Sequence, residues 1–245
     1  MKLKIITTVS NNQHPLLHEL EESLKAGEFD YHIIHNPSIG WDWGGWDNAY
    51  QYNKNVLTPQ GYTHFIYTDG FDTLALGNHS EAQQTLERIL GDNQDRMIYS
   101  VEKHWFPHEG ATGTTKDWTA YHAQYLEKTK DLPTDYRWRF VNGGQYAGSL
   151  TALQWWYENA PKHRNNQAYA NAYYSEQSED RLILDFKCEL FQTLSHSGAN
   201  HGSPEEFTVT DKRLINNLTK SKPVFVHNNG IKNPDEAQFM YDITK

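Results

Sequence analysis

Short apolar, β-prone blocks alternate along the chain with runs of helical periodicity. Leu3-Lys4-Ile5-Ile6-Thr7-Thr8-Val9 reads as a strand. Leu16, Leu17, Leu20 and Leu24 then recur at three- and four-residue spacing, the pattern of one buried helix face, and Gly27 is placed to stop that helix. Tyr31 to Ile34 is a second strand, so the opening stretch predicts a parallel βαβ unit. Further strands are predicted at Thr63 to Thr68, Met97 to Val101, Arg181 to Asp185, Leu190 to Leu194, Phe207 to Thr210 and Pro223 to His227. Helices are predicted at Ala82 to Leu90, Trp118 to Lys130, Thr151 to Glu158 and Ala168 to Tyr174. This alternation predicts an α/β fold, a mixed Rossmann-type sheet flanked by helices. No repeat, low-complexity tract or linker interrupts it, so residues 1–245 are expected to form one domain.

Three stretches depart from regular periodicity. Pro37 to Asn48 is glycine-rich yet carries three of the eight tryptophans. Either it folds into the core, or it covers a base and ribose, with tryptophan as stacking surface and glycine allowing close backbone approach. Asp47 is placed to cap a helix through Tyr50, Tyr52 and Val56, from which Lys54 could reach a phosphate. His108 to Asp117 is polar and predicts a loop, a candidate lid. Arg139 to Gly148 combines strand-like residues with three glycines but lacks the G-x-G-x-x-G spacing, which excludes a dinucleotide fingerprint. A bend bringing backbone close to a ligand is expected there.

Composition narrows the partners. The formal charge is −9, from 31 acids against 22 Lys and Arg, so the general basic field of a nucleic-acid or anionic-membrane binder is absent. Cys188 is the single cysteine, which excludes an intrachain disulfide and a cysteine zinc cage. No apolar run approaches the ~20 residues of a membrane span, and the first apolar run meets Asn11 and Asn12 too early for a signal peptide. A cytoplasmic protein without membrane association is expected.

The candidate chemistry sits where the third strand ends. Thr68 is followed by Asp69-Gly70-Phe71-Asp72, two carboxylates three residues apart at a strand end, where open α/β sheets form their ligand crevices. His227 ends the last apolar strand. Two carboxylates and one imidazole suit Mn²⁺ or Mg²⁺ and leave coordination positions for phosphate oxygens. An Asp-Gly pair also makes ordinary turns, and among 13 histidines one after a strand is expected by chance. His64, within the third strand, is expected to be a packed core residue. No phosphate loop, nucleophile elbow or His-Glu-x-x-His motif occurs.

Five blocks in order resemble the glycosyltransferase domain of the procollagen lysyl hydroxylase (PLOD) family, a GT-A-type fold. They are Phe65 to Asp72, then Ser100-Val101-Glu102 with Phe106-Pro107, then Val141-Asn142-Gly143-Gly144 with Gly148. Asp185 to Cys188 with Phe191-Gln192, and Val226 to Gly230, complete the set. With the tryptophan-glycine loop, the likeness runs from Trp41 to Lys232. The resemblance implies a metal site of Asp69, Asp72 and His227. It implies a donor site for a UDP-sugar at Trp43, Gly44, Gly45, Lys54, Asp69, Glu102, Asn142, Gly143, Gly144, Gly230 and Lys232. Retention at the anomeric carbon is implied in the same way. One block departs. Where the family carries acids before Gln at a helix start near the reacting sugar, this chain offers Asn165-Asn166-Gln167, and the rival match is Glu179-Asp180-Arg181. Asn166, Gln167 and Asp180 are therefore the catalytic candidates. The acceptor is expected to carry a free hydroxyl, on a protein, a glycan or a hydroxymethylated DNA base. A binding module of the same fold without turnover is the alternative.

Overall fold

The long sheet is built around β1 (Leu3–Val9), buried at nearly every position because both its faces are covered. In the computed structural model, residues 1–38, 44–106, 118–133, 137–160, 165–176, 180–194, 206–229 and 242–243 are described. β1 leads through α1 (Pro15–Ala26), whose four leucines are all buried, into β2 (Tyr31–His35), which pairs parallel to β1 as expected. α2 (Gly44–Tyr52) continues into a π-helical turn at Asn53–Leu57 and delivers the chain to β3 (His64–Thr68). A short strand β4 (Thr73–Ala75) and helix α3 (His79–Leu90) follow, the latter opened by an Asn78/Glu81 capping box. Then come β5 (Met97–Glu102), α4 (Trp118–Lys128), β6 (Phe140–Ser149), α5 (Leu150–Asn159) and α6 (Asn166–Glu176). The remainder is strand: β7 (Leu182–Leu184), β8 (Phe191–Thr193), β9 (Phe207–Thr210), β10 (Arg213–Asn216) and β11 (Phe225–His227).

Six strands form one mixed sheet in the order β2-β1-β3-β6-β5-β7, with β6 antiparallel to both neighbours. β4, β11 and β8 form a second sheet, and β9 and β10 a hairpin. This is a GT-A-type α/β architecture in a single domain.

One local expectation is sharpened and one changes. Arg139 to Gly148 lies largely in one strand, β6, whose irregularity sits at the glycines: Tyr99 and Ser100 of β5 pair with Tyr146 and Asn142, so Gly143, Gly144 and Gln145 bulge out of that ladder. Glycine in a strand marks such a bulge, where backbone can approach its neighbours closely. The helix expected to be capped by Asp47 begins at Gly44, so Asp47 lies inside α2, and its carboxylate accepts the Tyr157 hydroxyl of α5. Trp46 is in the core, 2% exposed, in line with the packed alternative for that tryptophan. His64 is buried and held by Thr63 and Gln94, as a core histidine should be.

Candidate metal centre

Three separate strand ends converge beside Gly144. Asp69 is the residue after β3, and its N–H donates to the Gly144 carbonyl of β6 (2.8 Å). Asp72 precedes β4, and its carbonyl accepts the Asn228 N–H (2.8 Å). Antiparallel pairing of β4 with β11 sets Thr73 opposite His227. Chain pairing thus brings residues far apart in sequence to one point. One ligand atom from each of Asp69, Asp72 and His227 lies within 4.8 Å of the others. His227 Nε2 is 3.3 Å from Asp72 Oδ1 and 3.7 Å from Asp69 Oδ2. A methyl group at position 144 would sit 2.3 Å from His227 Cε1 and 2.5 Å from Asp69 Oδ2, so only glycine admits the cluster.

The histidine is oriented from behind. Asn142 Oδ1 accepts the Gly144 N–H (3.0 Å), which fixes which end of the amide is oxygen. The same oxygen lies 3.1 Å from His227 Nδ1 and 3.2 Å from Ser100 Oγ. Nδ1 must therefore carry a hydrogen, and in the neutral ring Nε2 is left with its lone pair toward the two carboxylates. Nε2 is buried without a hydrogen bond of its own. A buried nitrogen lone pair aimed at two carboxylates fits a divalent cation, and a set with two oxygens suits Mn²⁺ or Mg²⁺.

Electrostatics point the same way. Burial opposes the His227 imidazolium, but the Asp72 and Asp69 carboxylates outweigh it and hold its pKa above the ordinary value. Burial, reinforced by the Asp72 charge and partly offset by His227, raises the Asp69 carboxyl. The Asp69 side chain keeps 44% of its surface open, so the cluster is reached from solvent on the Asp69 side. A cation here would relieve both groups.

Behind this cluster lies a second, buried carboxylate. Glu102 ends β5, is 7% exposed, and is pushed up to about 7 by burial, against hydrogen bonds that favour its charged form. Its Oε1 accepts Gln167 Nε2 (2.6 Å) and Asn142 Nδ2 (3.4 Å), and its Oε2 accepts Asn229 Nδ2 (2.9 Å). Gln167 also donates to the Val141 carbonyl (2.7 Å) and accepts the Gly143 N–H (3.1 Å). Asn166 Nδ2 donates to the Gly143 carbonyl (3.0 Å). Asn165 caps α6 by accepting the N–H groups of Gln167 and Ala168. The first turn of α6 is thereby stitched to β6, one residue from the metal cluster.

Among the sequence candidates, Asp69, Asp72, His227, Glu102, Asn142, Gly143, Gly144, Asn166 and Gln167 come together. Asn142 has both ends of its amide engaged, so it supports His227 and Glu102 instead of facing a ligand. Asp180 is elsewhere, its carboxylate accepting the Tyr173 hydroxyl (3.1 Å) beside the start of β7, where Leu182 pairs with Met97 at the far end of β5 from Glu102. The Asn165-Asn166-Gln167 alignment is the one that meets the metal end of the sheet. Lys54 is exposed on the π-helical turn, its Nζ 5.8 Å from the Tyr50 ring, with no hydrogen bond to the cluster among the described residues. Gly44 and Gly45 open α2. Trp43, Glu179, Gly230 and Lys232 lie outside the described residues, as does the 108–117 loop. Sequence reasoning gave no role to Asn229, the third partner of Glu102, or to the His14 ring packed 4.4 Å from Phe71; neither carries a signal before the strands pair.

The family model described as PLOD GT domain matches residues 54–239, which include every member of the metal cluster. A relative from Acanthamoeba polyphaga mimivirus, Uncharacterized protein R699, is 25% identical over 180 residues. That match covers 71% of this chain and spans 34% of the relative's length. The fold is similar to that of a glycosyltransferase involved in the glycosylation of the major capsid of PBCV-1, with a TM-score of 0.52 and 10% identity over 99% of this chain and 100% of that one. It is also similar to WbbM, a bifunctional glycosyltransferase, with a TM-score of 0.51 and 9% identity over 100% of this chain and 50% of that one.

Proposed function

The chain belongs to the family of PLOD GT domains, glycosyltransferases of GT-A type, and we propose that it transfers a sugar from a UDP-sugar to a hydroxyl acceptor with a divalent cation at Asp69, Asp72 and His227. The observation carrying this reading is the convergence of the three ligand atoms around a His227 lone pair oriented by Asn142. Mn²⁺ or Mg²⁺ bound there supplies positive charge against which a nucleoside diphosphate can bind and leave. The chain's own residues do the rest. Gly144 lets backbone pass close beneath the cluster, and Asn142 holds the imidazole tautomer. The amides of Asn166 and Gln167 brace the β6 backbone on the side where family resemblance places the transferred sugar. Retention at the anomeric carbon belongs to the same reading and rests on the family resemblance alone, and a cytoplasmic setting is the expectation drawn from the sequence. No described helix is long and apolar enough to cross a membrane.

Incubation with UDP-glucose or UDP-galactose and Mn²⁺, following UDP release, tests the proposal. Release by the native chain but not by Asp72→Asn supports it, and equal release by both removes the metal role. The amides at positions 165–167 favour one second reading, a nucleotide-sugar binding module without turnover. It predicts stabilisation by UDP with Mn²⁺ and no UDP release from either donor.

A further inference from the structure

At the far end of α6 from the metal cluster lies a separate open cleft of about 490 Å³, between α5, α6 and the residues entering β7. Gln167, which touches the metal end of the sheet, and Glu176, on the rim of this cleft, are nine residues apart on α6. At 1.5 Å per residue they are separated by about 14 Å along the helix. The cleft is lined by the rings of Trp155, Tyr169 and Tyr173 and by the polar groups of Asn159, Glu176, Asp180 and Arg181. None of these takes part in the network around Asp69 and His227.

The aromatic wall is fixed by its own packing. Tyr173 meets Trp155 edge-on at 6.0 Å and Trp156 edge-on at 4.8 Å. The Arg181 guanidinium lies 4.9 Å from the centre of the Trp155 ring, and the Tyr173 hydroxyl donates to Asp180 Oδ1 (3.1 Å). Trp155 and Tyr173 are only half-buried, unlike Trp156, which is fully buried. Ring surface left at the edge of water among planar donors and acceptors gives the cleft the mixed lining of small-ligand sites.

We propose that this cleft is a carbohydrate-binding site for a neutral oligosaccharide, distinct from the metal centre. The chemistry selects the ligand class. Aromatic faces take the C–H faces of pyranose rings, while carboxylate, amide and guanidinium side chains supply the acceptors and donors that vicinal hydroxyls need. Two carboxylates against one guanidinium, on a chain of formal charge −9, oppose a phosphate backbone or an acidic glycan. The volume falls within the range of small-ligand sites. The open shape fits a chain that lies across the surface better than a ligand that must be engulfed.

The site is tested without donor or metal, so the result does not depend on whether transfer occurs. Maltotetraose, cellotetraose and tetra-N-acetylchitotetraose are titrated by saturation-transfer NMR and calorimetry. Saturable binding of at least one is expected. Trp155→Ala is expected to weaken it about fivefold or more, the value of one aromatic contact. Asp180→Ala, at an exposed position where folding is not at stake, is expected to weaken it too, and Asp72→Asn to leave it unchanged. The proposal is overturned if no tetrasaccharide saturates, if both cleft variants bind as the native chain does, if Asp72→Asn abolishes binding, or if a lysine peptide or thymidine oligonucleotide binds in place of the sugars.

Discussion

His227 Nδ1 lies 3.1 Å from Asn142 Oδ1, an oxygen whose identity is set by the Gly144 N–H that donates to it from 3.0 Å. The relationship makes Asn142 a positioning residue for a metal ligand. Removal of such a partner typically costs 10–100-fold in metal affinity. Asn142→Ala is therefore expected to weaken Mn²⁺ binding within about that range while leaving all three ligand side chains in place. Calorimetric titration of Mn²⁺ checks it, and an unchanged affinity would show that the tautomer is held by something else.

Gly144→Ala attacks the same cluster through space. The added methyl would fall 2.3 Å from His227 Cε1 and 2.5 Å from Asp69 Oδ2, and the Gly144 backbone is held by the Asp69 N–H that donates to its carbonyl at 2.8 Å. Overpacking of this kind costs about 1–3 kcal/mol. We expect a lower melting temperature and, more tellingly, loss of the further stabilisation by Mn²⁺. A variant that melts early but still responds fully to Mn²⁺ would mean that the cluster can move aside.

Glu102, at about 7, Asp185, at about 6, and His227, raised above its usual value, all keep protons in the folded metal-free chain that the unfolded chain has lost. Where the folded state binds more protons, stability falls as pH rises. The sign is the same for all three. Glu102 acts between about pH 4.3 and 7, with an upper bound of about 4 kcal/mol. His227 acts as pH rises above about 6.5, toward its folded value. Urea unfolding without metal should therefore show stability declining from about pH 5 to 7. Glu102→Gln should flatten that decline, because Asn229 Oδ1, buried without a hydrogen bond, can turn to accept the new amide. Mn²⁺ competes with protons at Asp69 and His227, so its stabilising effect should grow over the same interval.

The block Asp185 to Cys188, part of the family likeness, proves to be a turn clamp. Asp185 Oδ1 accepts the Glu189 N–H (3.0 Å), and Oδ2 accepts those of Leu190 (2.8 Å) and Phe191 (2.9 Å). Asp185→Ala would leave three backbone donors without acceptors, at about 1–3 kcal/mol each where they are buried. A loss of about 3 kcal/mol or more in urea unfolding is expected, with UDP release per folded molecule little changed below the transition.

What the sequence made legible followed from local pattern. Leu3 to Val9, the α1 leucines and the third strand carry strong periodicity, so the sheet and the position of Asp69 at its edge could be read directly. The apolar run ending in His227 could be read as a strand, but β4, with three residues, carries no pattern, and it is its pairing with β11 that seats His227 beside Asp72. Gly143 and Gly144 read as a bend, and the structure makes the break a bulge in the β5 ladder, whose exact place depends on a cross-strand register that no local pattern reveals. Between Asn166 and Asp180, spacing to Asp185 favours Asn166, but spacing alone carries no contact. Both flank α6, and only the sheet shows that the helix start, not the segment beyond its end, faces the metal ligands.

That choice carries the last prediction. Restoring acids at the start of α6 would make the chain more like its family, but the two amides are not equivalent. Among the described residues Asn165 uses its Oδ1, as an N-cap for Gln167 and Ala168, so Asn165→Asp should be neutral or slightly stabilising. Asn166 uses Nδ2 to donate to the Gly143 carbonyl at 3.0 Å. A carboxylate there would set oxygen against oxygen beside the β6 backbone that carries Gly144, and would add negative charge near Asp69 and Glu102. Asn166→Asp is expected to cost about 1–3 kcal/mol without Mn²⁺. Thermal unfolding of the two variants in parallel checks this. If Asn166→Asp were as stable as Asn165→Asp and released UDP faster, the Asn166 amide would be a dispensable substitution, not part of the brace that holds β6 against α6.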